Sequence, residues 1–226
     1  MKKSLFTFLF SLSIISVSCT KEKSANQNVS TIRMPMQTDD GWYAGNLSSA
    51  GIDSQKLQIM VDRISDSTYQ NVHSVLIVKQ GKLVFEHYFP GYKFNYEAKD
   101  FRGEFTNFTL NTIHNLASVT KSITSILFGI AVDQGYIDDV DEKLFKFFPQ
   151  YVSSFDSLKS TITLEHLLTM TSGLQWNEQD VFYRDAENDI IQLFIVPDPV
   201  KYILSKPVIH LPGSEFYYNG GNTNLL

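Results

Sequence analysis

The chain has 226 residues, 43% of them hydrophobic and 13% aromatic, which suits a packed core of one to two domains and excludes a disordered or coiled-coil composition. Its 19 basic and 24 acidic residues give a formal charge of −5 with no basic run, which argues against nucleic-acid binding. The single cysteine, Cys19, excludes an intrachain disulfide and a cysteine-built metal site.

At the N-terminus, Lys2 and Lys3 precede an uncharged, mostly apolar run from Leu5 to Val17, and Ser16 and Ser18 lead to Cys19. This order of charged, apolar and small residues reads as an export signal, and its apolar core is too short to span a bilayer, which needs roughly 20 residues. A short buried helix is the other reading, and it leaves the paired lysines unexplained. With its cysteine at the cleavage position, the segment resembles a bacterial lipoprotein signal, although Ser16 stands where that pattern prefers leucine. The resemblance implies loss of residues 1–18, lipid on Cys19, and a periplasmic or cell-surface protein attached to a membrane through that lipid. Loss of Lys2 and Lys3 takes the formal charge from −5 to −7. Residues 19–40, polar and kinked at Met34-Pro35-Met36, are expected to form a flexible tether.

The globular body is expected over 41–226, with an α/β part at 41–110 and a mostly helical part at 111–226. Leu57, Met60, Val61 and Ile64 share one face of a helix that Asp53 or Ser54 caps. Ser74 to Lys79 and Lys82 to Phe89 are strand-like runs on either side of Gln80-Gly81, a hairpin signal, and Pro90-Gly91 closes the unit. A helix followed by a hairpin suggests an antiparallel sheet with a helix on one face. After a polar stretch at 95–112, a helix runs from Ser118 to Gln134 with Ile123, Ile126, Leu127, Ile130 and Ala131 as its apolar face and Gly135 as its stop. Asp141 caps a short segment ending at Pro149. Thr163 caps a helix that runs through Met170 and ends at Gly173, and the charged stretch Tyr183 to Asp189 reads as solvated. Asp198-Pro199 starts another helix, Pro212-Gly213 makes a turn, and Asn222 to Leu226 opens a last helix. Ending on an apolar pair one turn into an element, the sequence reads as C-terminally truncated.

For chemistry, the sequence holds no G-x-S-x-G, no H-E-x-x-H and no glycine-rich phosphate loop, and its five histidines are scattered. No metal or cofactor is expected. Spacing leaves a Ser-His-Asp triad open, but no pattern points to one. What stands out is Ser118-Val119-Thr120-Lys121, an S-x-x-K at the start of an amphipathic helix. The same spacing at Ser18-Cys19-Thr20-Lys21 has no such setting. One turn apart, Ser118 and Lys121 share a helix face. A serine hydroxyl needs a base within hydrogen-bond reach, and a desolvated lysine can be that base. The alternative is a capping serine beside a solvated lysine. Trp176 and Glu178, after the Ser172-Gly173 turn, are further candidates to line a pocket; a tryptophan lid over the core is the other reading.

The segment from His114 to Ser125 resembles the nucleophile segment of the serine β-lactamase and penicillin-binding protein superfamily, for which S-x-x-K is a signature. Gly135 to Asp139 with Phe148-Pro149, Ile162 to Leu174, and Pro212-Gly213 through Phe216, Tyr218 and Leu225-Leu226 resemble later segments of that superfamily in the same order. The resemblance runs from about Gly41 onward and is closest to the class C-like branch of esterases, D-amino-acid peptidases and 6-aminohexanoate-dimer hydrolases. It implies an α+β, β-lactamase/transpeptidase-like fold, an antiparallel sheet with a flanking helix plus a mostly helical subdomain. The closing strands, and a Lys/His-x-Gly motif that completes the oxyanion hole, are expected beyond Leu226.

By the same resemblance Ser118 is the nucleophile, Lys121 its base and Tyr218 a proton shuttle. Asn219 and Gly220 fall in the substrate-binding part of that second motif. Relatives often carry Tyr-x-Asn, whereas this chain reads Tyr218-Asn219-Gly220, a departure that leans toward the amide and ester hydrolases. The implied function is exported cleavage of an amide or ester in a small molecule or peptide through an acyl-enzyme, with no protein partner. The alternatives are a non-catalytic penicillin-binding-like module that binds cell-wall fragments, or an inactive fragment.

Overall fold

A computed structural model describes residues 32–226. The export signal, Cys19 and most of the tether lie outside the described residues. The chain divides between His114 and Asn115 into two compact units.

In the first unit, packing starts earlier than Gly41. Ile32 lies against the core, Pro35 is buried, and the Gln37 side chain donates to Trp42 O (2.6 Å) and accepts from Ala44 N (2.9 Å). The end of the proposed tether is therefore docked. Helix α1 (Ser54–Ser65) begins at Asp53, whose carboxylate accepts from the N–H groups of Gln55 and Lys56. It buries Leu57, Val61 and Ile64 against Phe85 and Phe89. Strands β2 (Ser74–Lys79) and β3 (Lys82–Tyr88) form the expected antiparallel hairpin. Gln80 and Gly81 both have positive φ, 52° and 73°, the backbone a tight two-residue hairpin turn needs. A two-residue strand β1 (Tyr43–Ala44) joins β3 in parallel, giving the order β1-β3-β2.

Pro90-Gly91 does not close this unit. It opens strand β4 (Pro90–Phe94), which pairs antiparallel with β5 (Arg102–Asn107) out of the stretch read as polar. Cross-strand contacts account for the pairing: Tyr92 meets Phe105 edge-on at 5.1 Å, and Lys93 pairs with Glu104 at 3.0 Å.

The second unit is helical. A 3₁₀ turn over Ala117–Val119 leads into α2 (Thr120–Asp133), which Gly135 (φ 74°) stops. Three 3₁₀ segments follow, Leu144–Phe147, Pro149–Ser154 and Lys159–Thr161. Asp141 caps none of them. Lys143 precedes the first without a side-chain capping bond, its amine donating to Thr161 O instead, and Pro149 begins the second rather than ending the first. Helix α3 (Leu164–Leu168) is capped reciprocally, as Thr163 Oγ1 accepts from His166 N while His166 Nδ1 accepts from Thr163 N. It is shorter than its pattern suggested, because Met170 turns to positive φ (58°) two residues past its end.

The stretch Tyr183 to Asp189 is not all solvated. Asn188 caps α4 (Asp189–Ile195), and Asp189 is 4% exposed, 2.5 Å from Lys206 Nζ and bonded to the Tyr202 hydroxyl. Asp198 caps α5 (Pro199–Ser205), and Asn219 caps α6 (Gly220–Asn224). Leu144, Ile162, Leu167, Ile203 and Leu204 are fully buried together in the core of this unit. Lys159 is buried beside them and donates to Leu204 O at 2.6 Å; burial pulls its amine below the usual lysine range. Among the described residues no helix is long and apolar enough to cross a membrane.

Candidate active site

The site is built on the 3₁₀ turn ahead of α2. Asn115 Oδ1 accepts from Ala117 N (2.8 Å), and Ala117 sits at φ 43°, a left-handed conformation that few residues with a Cβ adopt. The strained turn puts Ser118 just before the helix, exposed, with Lys121 one turn later and half-buried. Lys121 Nζ donates to Ser118 Oγ at 3.2 Å.

Tyr218 arrives from 100 residues away in sequence, and its hydroxyl donates to the same Oγ at 2.8 Å. The Lys121 ammonium also lies 5.2 Å from the centre of the Tyr218 ring. The structure thus brings Ser118, Lys121 and Tyr218 together around one oxygen. Tyr217, the neighbour that a one-residue misalignment would select, sends its hydroxyl to Asp180 instead (3.1 Å).

Bonds on both sides of Tyr218 hold it in place. On one side Tyr217 N donates to Met170 O (2.9 Å) and Gly213 N to Thr171 O (2.8 Å). Gly173 lets these segments approach, since a Cβ there would lie 2.1 Å from His210 O. On the other side Asn219, 1% exposed, accepts from Asn222 N through its side chain at 3.1 Å. Asn222, fully buried, accepts from Ser172 Oγ at 2.9 Å. Gly220 N donates to Glu178 Oε2 at 2.8 Å.

The other candidates are placed differently. Trp176 is 1% exposed and packs edge-on to Tyr202 at 6.4 Å, so it fills the core rather than lining an open pocket. Its indole N–H donates to Glu178 Oε2 at 2.8 Å. Asn219 Oδ1 caps α6 while its buried Nδ2 meets no hydrogen-bond partner among the described residues, and Gly220 presents only backbone. Met170 and Ser172 lie in the Ile162 to Leu174 segment that resembles the superfamily, but neither they nor Asn222 could be given a role from sequence; their contacts across about 50 residues show that they hold the tyrosine segment. Among the described residues no group of three or more His, Cys, Asp or Glu is placed to hold a metal ion.

Comparison with known proteins identifies the fold and the family. The fold is shared with a Bacteroides dorei protein provisionally assigned as a beta-lactamase (TM-score 0.53, 22% identity), over 76% of this chain and 44% of that one. It is also shared with a Bacillus anthracis protein provisionally assigned as a 6-aminohexanoate-dimer hydrolase (TM-score 0.50, 16% identity), over 87% of this chain and 50% of that one. The protein flp of Staphylococcus aureus strain N315 is 28% identical over 181 residues, 77% of this chain. That alignment covers 32% of flp, so the chain spans about a third of the length of the curated relatives it matches. Residues 69–226, more than two-thirds of the chain and the part that carries Ser118, Lys121 and Tyr218, match the Beta-lactamase family, and the chain belongs to that family within the serine hydrolase superfamily.

Proposed function

We propose that this protein cleaves an amide or ester through an acyl-enzyme on Ser118, with Lys121 as base and Tyr218 as proton shuttle. The convergence of Lys121 and Tyr218 on Ser118 Oγ, at 3.2 and 2.8 Å, carries the reading. Ser118 Oγ attacks the carbonyl carbon while its proton passes to whichever partner, amine or phenolate, is unprotonated. The resulting oxyanion is stabilised in part by the Ser118 amide. As the C–N or C–O bond breaks, Tyr218 returns a proton to the leaving group, and water then hydrolyses the acyl-serine. Gly220 in place of a motif asparagine favours simple amides and esters. The lysine pair, apolar run and Cys19 support an exported, lipid-carrying form.

Intact cells expressing the full-length protein, treated with a membrane-impermeant fluorophosphonate, test chemistry and location together. Labelling at Ser118, lost in Ser118→Ala and carried by a chain that begins at Cys19, is the expected result. No adduct, or an adduct that survives Ser118→Ala, removes the hydrolase reading; labelling only after lysis removes export. Stoichiometric acylation by a substrate ester without turnover would favour the binding module instead.

A further inference from the structure

We propose that Glu178 is a positioning residue for Tyr218, acting through the backbone of Gly220 rather than on the substrate. The inference rests on the acyl-enzyme reading given above. One carboxylate oxygen, Glu178 Oε2, accepts two hydrogen bonds of 2.8 Å, from Trp176 Nε1 and from Gly220 N. Trp176 is buried in the core, so the first bond fixes the carboxylate to an immobile ring. The second fixes the chain two residues beyond Tyr218. With Tyr217 N bonded to Met170 O on the other side, the tyrosine is anchored at both flanks. Both bonds to Glu178 are charge-assisted, the stronger class of hydrogen bond.

Gly220 belongs to the same device. A Cβ at 220 would lie 2.7 Å from Glu178 Oε2 and 2.7 Å from Ile190 Cδ1. The carboxylate reaches the backbone only because no side chain stands there. The glycine that departs from the common Tyr-x-Asn pattern and the glutamate 42 residues earlier therefore work as a pair. The phenol must stay within hydrogen-bond reach of Ser118 Oγ to move a proton, and a displacement on the order of 1 Å is enough to cost catalysis about 10²-fold. Glu178 sets that distance.

The test compares Glu178→Ala and Glu178→Gln in the full-length protein. With p-nitrophenyl acetate as substrate, Glu178→Ala should lower kcat about 10²-fold with KM changed by no more than about twofold. Glu178→Gln, whose amide oxygen still accepts, should recover kcat to within about threefold of wild type. In parallel, fluorotyrosine placed at position 218 and read by fluorine NMR should give one sharp resonance in wild type and Glu178→Gln and a shifted or broadened one in Glu178→Ala. Fluorotyrosine at position 151 should not move. An unchanged kcat and resonance in Glu178→Ala overturns the proposal; so does a KM-only effect, or collapse of both resonances, which marks a purely structural role. Should the wild-type protein fail to acylate at Ser118, the hydrolase reading falls, while the resonance at position 218 still decides whether Glu178 holds the tyrosine.

Discussion

A Cβ placed on Gly220 comes closer to Glu178 and Ile190 than side-chain carbons approach one another, so any larger residue must push the carboxylate away or move the start of α6. Gly220→Asn, which restores the commoner motif residue, should therefore destabilise the protein by about 1–3 kcal/mol, the range for overpacking a filled site. Urea unfolding midpoints check this, and an unchanged midpoint would show that the glutamate moves aside freely. The same scale shows what was readable in advance. Ser118 in the 3₁₀ turn and Lys121 at the start of α2 stand three residues apart along one continuous helical path, so their spacing alone predicts the contact. Tyr218 could be placed only through resemblance to a family motif, because no local pattern predicts a bond across 100 residues. Trp176 was ambiguous because a tryptophan after a turn serves equally as pocket wall or core filler, and only its burial decides.

Helix α2 shows where an element's position can be read but its orientation cannot. Its limits follow from the apolar run and Gly135. Its buried side does not, because the helix is apolar on more than one face. Phe128 enters the core with Val132 packed against it, whereas Ile126 and Leu127, on the face expected inside, are each 60% exposed among the described residues. Ile126→Glu in the 226-residue chain should leave the thermal midpoint nearly unchanged, within about 0.5 kcal/mol of stability, and increase the soluble fraction. Light scattering and thermal melts measure both; a large loss of stability would place Ile126 in a packed interface. The hairpin of β2 and β3 was legible because Gln80-Gly81 supplies a specific turn chemistry. Strands β4 and β5 were not, because their partners meet across an intervening loop, and an aromatic pair and an ion pair set among polar residues give no strand period in sequence. Helix α4 was hidden for a similar reason: the carboxylate at its start, Asp189, is buried by a lysine and a tyrosine from a later segment.

Across the whole molecule, three histidines share one electrostatic condition. Burial holds His73, His87 and His166 below the ordinary histidine value of 6.5, with His114 adding to the effect at His73. Each binds fewer protons folded than unfolded between its lowered pKa and about 6.5. Their contribution to stability is thus fully present above about pH 6.5 and is lost as pH falls through that window. At His166 the effect has a direct structural reading, since the Nδ1 that accepts from Thr163 N can do so only while unprotonated. His166→Gln keeps an acceptor in the capping box and removes the titration. Thermal melts at pH 7.5 and 5.5 should show a smaller acid-induced drop for His166→Gln than for wild type. Equal drops would assign the acid sensitivity to other groups.

The span between Ser118 and Tyr218 also sets a clock on synthesis. A ribosome adding about 5–20 residues per second exposes the serine about 5–20 s before the tyrosine has even been made. During that interval the nascent chain carries a serine and lysine without their phenol, and the anchors at Met170 and Glu178 are being laid down before the segment they will hold. The reactive cluster therefore cannot assemble until codon 218 has been read, and a ribosome stalled anywhere in the first 217 codons leaves a product that lacks the third member altogether.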